Sequence, residues 1–199
     1  MQKTLIIYGD NKNEGYLHEL TNSISKNLVD HTHSVDIIRL NEEPFYPIRL
    51  EFEEKISKMG IEPPLDVHNY LDRIENAQEV IFIFPLWWSG YPAILKGFID
   101  RIFIPKNYDE ETLLYNQSKR IYLITQVDPN DISPLTKEDK SKIAWCINDS
   151  LWGKMGYTIS PVIWVEDNSK LSYRDEEDRK SRIFSKLLAK KNDTLLGKD

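Results

Sequence analysis

The chain is short of the residues that build several whole classes of protein. It has one cysteine, Cys146, in 199 residues, which excludes a disulfide framework and any multi-cysteine zinc or iron–sulfur site. Glycine and proline number 8 and 10, too few for collagen-like or low-complexity sequence. Positive charge is in deficit, with 26 Lys and Arg against 32 Asp and Glu and a formal net charge of −6. Sequence-independent nucleic-acid binding needs a basic face to neutralise phosphates, so nucleic acid is not an expected partner. The most hydrophobic stretch, Val80 to Leu86, is far shorter than the roughly 20 residues of a membrane span, and no membrane insertion is expected. The apolar run at 3–8 has strand length and lacks the longer core of a secretory signal, which points to the cytoplasm. Internal repeats are lacking too.

What is present is an alternation of short apolar runs and helical periodicity. Hydrophobic residues make up 40% of the chain, enough for a real core, and the length suits a single domain over 1–199. Strands are expected at Thr4–Tyr8, Val35–Leu40, Val80–Phe84, Ile121–Thr125 and Thr158–Val165, each rich in Val, Ile, Tyr or Phe. The near-continuous apolarity of VIFIF and IYLIT reads as strands buried on both faces, as in a parallel sheet. Helical spacing follows in Leu17, Leu20, Ile24 and Leu28, and again in Ile94, Leu95, Phe98, Ile99, Ile102 and Phe103. Ile143, Ile147 and Leu151 repeat every four residues, and Ile183, Phe184, Leu187 and Leu188 close the series. The pattern is α/β, a three-layer α/β/α sandwich with right-handed crossovers. Residues 41–66 break the alternation with Pro44, Pro47, Pro63 and Pro64 around an acidic helical piece from Leu50 to Met59. Such an excursion is a lid, a dimer contact or an insertion. Residues 195–199 read as a frayed end.

In an open parallel sheet, ligands bind beyond the carboxyl ends of the strands. After the first strand, residues 9–16 read GDNKNEGY. Two glycines ahead of a helix allow backbone N–H groups to wrap a phosphate, although Asp10 and Glu14 oppose one. The loop is neither a Walker loop nor a GxGxxG turn. After the third strand comes Phe84-Pro85-Leu86-Trp87-Trp88-Ser89-Gly90-Tyr91-Pro92. Three large aromatics at this edge should cover a flat ligand, pack into an interface or cap the core.

The stretch IFIFPLWWSGYPAILKGFIDRIF resembles the signature of the flavodoxin-like NAD(P)H:quinone reductases. These include the drug-activity-modulator reductases and the ancillary reductases of potassium efflux. The resemblance is tight from Val80 to Phe103 and loose elsewhere. It implies a five-stranded parallel sheet of order 2-1-3-4-5 and a bound flavin, FMN or FAD. It also implies NAD(P)H as electron donor, a quinone or similar electrophile as acceptor, ping-pong turnover and a homodimer. By the same resemblance the flavin ring meets Pro85, Leu86, Trp87, Trp88 and Ser89. The first loop brings Gly15 and Tyr16, and the end of the fourth strand brings Thr125, Gln126 and Val127. Gly9-Asp10 stands where relatives have His-Pro, and Gly15 where they have Ser. Thr125-Gln126-Val127-Asp128-Pro129 replaces their Thr-Thr-Gly-Gly. No His or Tyr lies between Gln126 and Gly156, where relatives carry the pair that assists hydride transfer, so no catalytic residue is assigned. A flavodoxin-fold binding or regulatory module, transporter-associated or without flavin, is the alternative.

The remaining reactive residues read as structural. His18, His31, His33 and His68 are scattered, and no metal site is expected. Cys146 sits on a helical pattern as a buried thiol. Lys96 and Asp100 form a solvated pair at i, i+4.

Overall fold

The computed structural model describes residues 2–31, 33–59, 61, 64–103, 116–127, 134–166, 178, 180–185 and 187. Its sheet contains β1 (Gln2–Tyr8), β2 (His33–Arg39), β3 (Glu79–Pro85), β4 (Arg120–Val127), β5 (Thr158–Ile159) and β6 (Ile163–Glu166). The order is β2-β1-β3-β4-β5, with β6 also paired to β4. Every pairing is parallel, from Gln2↔His33 through Thr4↔Glu79 and Glu79↔Arg120 to Ile124↔Ile163. The fifth expected strand is therefore in two pieces. Pro161 has no N–H to offer β4, so the ladder lapses at 160–162 and resumes at Ile163.

The helices described are α1 (Tyr16–Asp30), α2 (Glu51–Lys58), α3 (Leu65–Glu75), α4 (Ala93–Ile102) and α5 (Lys137–Ala144). The last runs on into a π-helical turn over Trp145–Gly153. Helix α3 is a correction to the sequence reading, which gave no helix between the excursion at 41–66 and the third strand. Val67, Tyr70 and Ile74 are nonetheless spaced three and four apart and all buried. Alternate strand residues face opposite layers. Leu5, Ile7, Val80, Phe82 and Leu123 pack under α3, α4 and the π turn. Ile6, Tyr8, Ile81, Ile83 and Ile124 pack under α1 and Ile183, Phe184 and Leu187. Leu188, residues 195–199 and Pro63 lie outside the described residues.

Two cations hold connecting segments in place. The buried Lys119 donates from Nζ to the carbonyls of Ile74, Glu75 and Ala77 at 2.9, 2.9 and 2.6 Å, closing the last turn of α3. Arg101 on α4 reaches Glu53 at 2.9 Å, Asp66 at 2.6 Å and the Tyr46 carbonyl at 3.0 Å. With Phe45 edge-on to Tyr70 and Phe98, these contacts fasten the excursion to the core. Gly97 lets it in: a Cβ there would lie 2.3 Å from the Pro47 carbonyl oxygen.

Candidate functional site

The strand order reverses between β1, β2 and β3, so the loops after β1 and β3 flank the crevice where such sheets bind ligands. The first loop is tied down at its start. Gly9 donates to the Ile83 carbonyl at 2.9 Å, and a Cβ on it would come within 2.7 Å of Leu95 Cδ2. Only a glycine lets α4 approach this closely. The buried Asp10 accepts from the Asn11 N–H at 2.7 Å, and the buried Tyr8 donates to the Lys12 carbonyl at 2.9 Å. Burial, and then the neighbouring Asp10 charge, push the Tyr8 phenol above its usual range.

The loop ends at Gly15, the residue that caps α1, with φ 94° and ψ −178°. That conformation is open to glycine and strained for any residue with a Cβ. Glycine has no side chain with which to cap the helix, and among the described residues nothing lies within 4 Å of the space over Gly15. The serine of the resembling reductases does not suit this backbone. What the chain offers is a bare helix N-terminus, with its partial positive charge, under open space. Tyr16 opens the helix, its ring half-buried against the α1 layer.

The third loop leaves β3 with the Leu86 N–H donating to the Gln126 carbonyl at 2.8 Å. Trp87 and Gly90 then exchange both backbone hydrogen bonds, at 3.1 and 2.9 Å, closing a two-residue turn on Trp88 and Ser89. Both have positive φ, 49° and 62°, as a type I′ turn requires. Asn-Gly is the favoured pair there; a Trp-Ser pair stores strain, of the kind that collects at ligand-binding sites. Trp88 is fully exposed and Trp87 is 43% exposed. Pro92 fixes the entry to α4 without using a donor.

Tyr91 does not join these two rings. It turns inward against Phe84, with centroids 4.8 Å apart. Its hydroxyl donates to the Ile147 carbonyl at 2.5 Å and accepts from Trp152 Nε1 at 2.9 Å. Of the three aromatics that the sequence singles out, Tyr91 caps the core while Trp87 and Trp88 face out. Sequence reasoning also missed its partner, the fully buried Trp152. The wide π turn brings Asn148 and Trp152 inward and leaves Trp145 and Cys146 outside. Cys146 is therefore exposed, a correction to the buried thiol expected from a four-residue repeat.

At the end of β4, Thr125 is fully buried, and its Oγ1 has no hydrogen-bond partner among the described residues. The backbone from Thr125 to Val127 lies in the ladder, facing Phe84 and Pro85 on one side and Trp164, Val165 and Glu166 on the other. This engages its donors and leaves the half-buried Gln126 side chain as the adaptable group. Asp128 and Pro129 lie outside the described residues. Lys96 and Asp100 form the expected half-exposed ion pair. Among the described residues no helix is long and apolar enough to cross a membrane.

The model of the flavodoxin-like fold family matches residues 2–186. The chain belongs to that family. A Haemophilus influenzae protein described as an uncharacterized NAD(P)H oxidoreductase is 41% identical over 63 residues, 32% of this chain and 31% of that protein. The likeness to curated relatives is local, since the matched stretches span 31% and 53% of the first two. An NAD(P)H:quinone oxidoreductase from Methanothermobacter marburgensis shares the fold with a TM-score of 0.72 at 20% identity, covering 90% of this chain and 91% of its own. An FMN-dependent NADH-azoreductase from Bacillus anthracis, solved with FMN, does so with a TM-score of 0.62 at 16% identity, covering 96% and 99%.

Proposed function

We propose that this protein is a flavin-dependent NAD(P)H oxidoreductase that reduces a quinone or similar electrophile by two electrons. The observation that carries the reading is the fully exposed Trp88 held on a strained turn beside the switch point. Leaving an indole in water on a turn that disfavours it has no structural benefit, and a planar ring stacked on it supplies one. The residues suit a flavin. The uncapped N-terminus of α1 under the open space at Gly15 fits one phosphate, which favours FMN over FAD. Pro85, Leu86, Trp87, Trp88 and Ser89 would border the ring, with Tyr16 at the phosphate end. Thr125, Gln126 and Val127 would meet the pyrimidine edge, where the Gln126 amide is free to pair with either a donor or an acceptor. When bound, a flavin takes two electrons from a reduced nicotinamide and delivers them to the acceptor in a separate encounter. This chain's own part is to bind, to orient the rings by stacking, and to exclude water from the edge.

A homodimer accords with the excursion. Tyr46, Ile48, Phe52, Met59, Ile61 and Leu65 are all exposed, apolar surface suited to a second copy. The exposed, unpaired Cys146 accords with a reducing cytoplasm. The test is steady-state kinetics on FMN-reconstituted protein with NADH or NADPH and a soluble quinone. Parallel double-reciprocal lines are the expected result. Absence of turnover with every acceptor, in a protein that binds FMN, would favour the regulatory or binding module instead.

A further inference from the structure

Beyond the residues of that edge, a groove of about 700 Å³ lies between α5 with its π turn and the broken strand β5–β6. Its volume falls in the range of pockets that hold small molecules, roughly 300–1,000 Å³. Trp145 stands on the helical wall and Trp164 on the strand wall, with Ala144, Ile159, Pro161 and Val162 making the apolar surface between them. The polar groups on its walls are Lys137, Lys140, Ser141, Asn148, Asp149 and Ser160.

Two features suggest an occupant, on walls tied together by Asn148, which is 2% exposed and gives its Nδ2 to the Ser160 carbonyl at 2.9 Å. Charge is polarised along the groove. Lys137 and Lys140 lie at one end, where Lys140 reaches Glu166 at 3.4 Å and stands 5.9 Å over the Trp164 ring. Asp149 lies about three helical turns further on. Trp145, 58% exposed, presents an indole that nothing on the helix covers. The π turn closes i→i+5 hydrogen bonds, so Ile147 and Trp152, five apart, share the inward face with Asn148.

We propose that this groove binds a small planar aromatic anion, with its ring between Trp145 and Trp164 and its acid group toward Lys137 and Lys140. The groove shares no lining residue with the Trp88 edge, and the contacts proposed here do not include flavin.

The test is a titration of the whole, tryptophan-¹⁵N-labelled protein with 6-hydroxynaphthalene-2-carboxylate, with and without FMN. The Trp145 and Trp164 indole signals, assigned through Trp145→Phe and Trp164→Phe, should move saturably in both states while those of Trp87 and Trp88 stay still. The paired change Lys137→Gln and Lys140→Gln, on an accessible face, should weaken binding about tenfold with the far-ultraviolet spectrum unchanged. The neutral carboxamide should bind at least as weakly as the acid binds that variant. Saturable shifts confined to Trp87 and Trp88, no saturable shift at all, or equal binding of acid and carboxamide would each overturn the proposal.

Discussion

At the residue scale, the most informative side chains are the ones that sit against local preference. Trp88 and Ser89 hold positive φ where Asn-Gly would rest without strain. Replacing them with Trp88→Asn and Ser89→Gly should raise the melting temperature, by the equivalent of about 1 kcal/mol, because two strained residues are relieved. The same change removes the exposed indole and should weaken FMN binding about tenfold, the loss of a stacking contact worth roughly 0.5–1.5 kcal/mol. Thermal melts and an FMN titration on one preparation check both signs; a variant that gains stability and keeps its affinity would remove Trp88 from the site. The sequence made Trp87 and Trp88 conspicuous by type and place. It could not show that Tyr91 turns the other way, because that depends on Trp152 and on a carbonyl 56 residues further along the chain.

At the element scale, the excursion and the α5 start carry the sharpest expectations. Gly97 lies inside α4, where alanine normally stabilises a helix by about 1 kcal/mol. Here the added Cβ meets backbone of Pro47 at 2.3 Å, so Gly97→Ala should lower stability and loosen the excursion. Limited proteolysis within 41–66 would report the loosening, and an unchanged or higher melting temperature would contradict the packing. Helix α5 opens on a capping box, with Thr136 and Asp139 bonded reciprocally. The Thr136 hydroxyl and N–H hold the Asp139 carboxyl below its usual value of 3.8. A carboxyl lowered by folding contributes stability above its unfolded pKa, and that contribution is lost as pH falls through the folded one. Thr136→Ala should therefore lower the urea midpoint at neutral pH, and the gap from the unaltered protein should narrow at about pH 3. An equal gap at both pH values would mean that the cap acts without the carboxylate. The central strands were legible as near-continuous apolar runs buried on both faces, and most helices by their three- and four-residue period. Helix α3 was missed because Pro63, Pro64 and the acidic run before it mask its start, although Val67, Tyr70 and Ile74 carry its period. The π turn was illegible because a repeat of Ile143, Ile147 and Leu151 also fits a regular helix. The inward residue that this repeat leaves out is Trp152, stacked on Phe82 with centroids 4.8 Å apart.

At the scale of the whole molecule, a parallel sheet of order β2-β1-β3-β4-β5 brings one uncapped helix N-terminus and one aromatic turn to the same carboxyl edge. That edge was foreseen from the alternation of strands and helices together with one motif; the backbone that equips it was not. Gly15 reads in sequence as the loss of a serine. In the fold it is the residue whose φ of 94° leaves the α1 N-terminus open. The account therefore turns on whether this altered edge still holds flavin. The direct measurement is the visible absorption spectrum of the protein after incubation with excess FMN and desalting. Flavin bands that remain with the protein, and bleach anaerobically on adding NADH or NADPH, are the predicted result. A folded protein that emerges colourless would contradict the account.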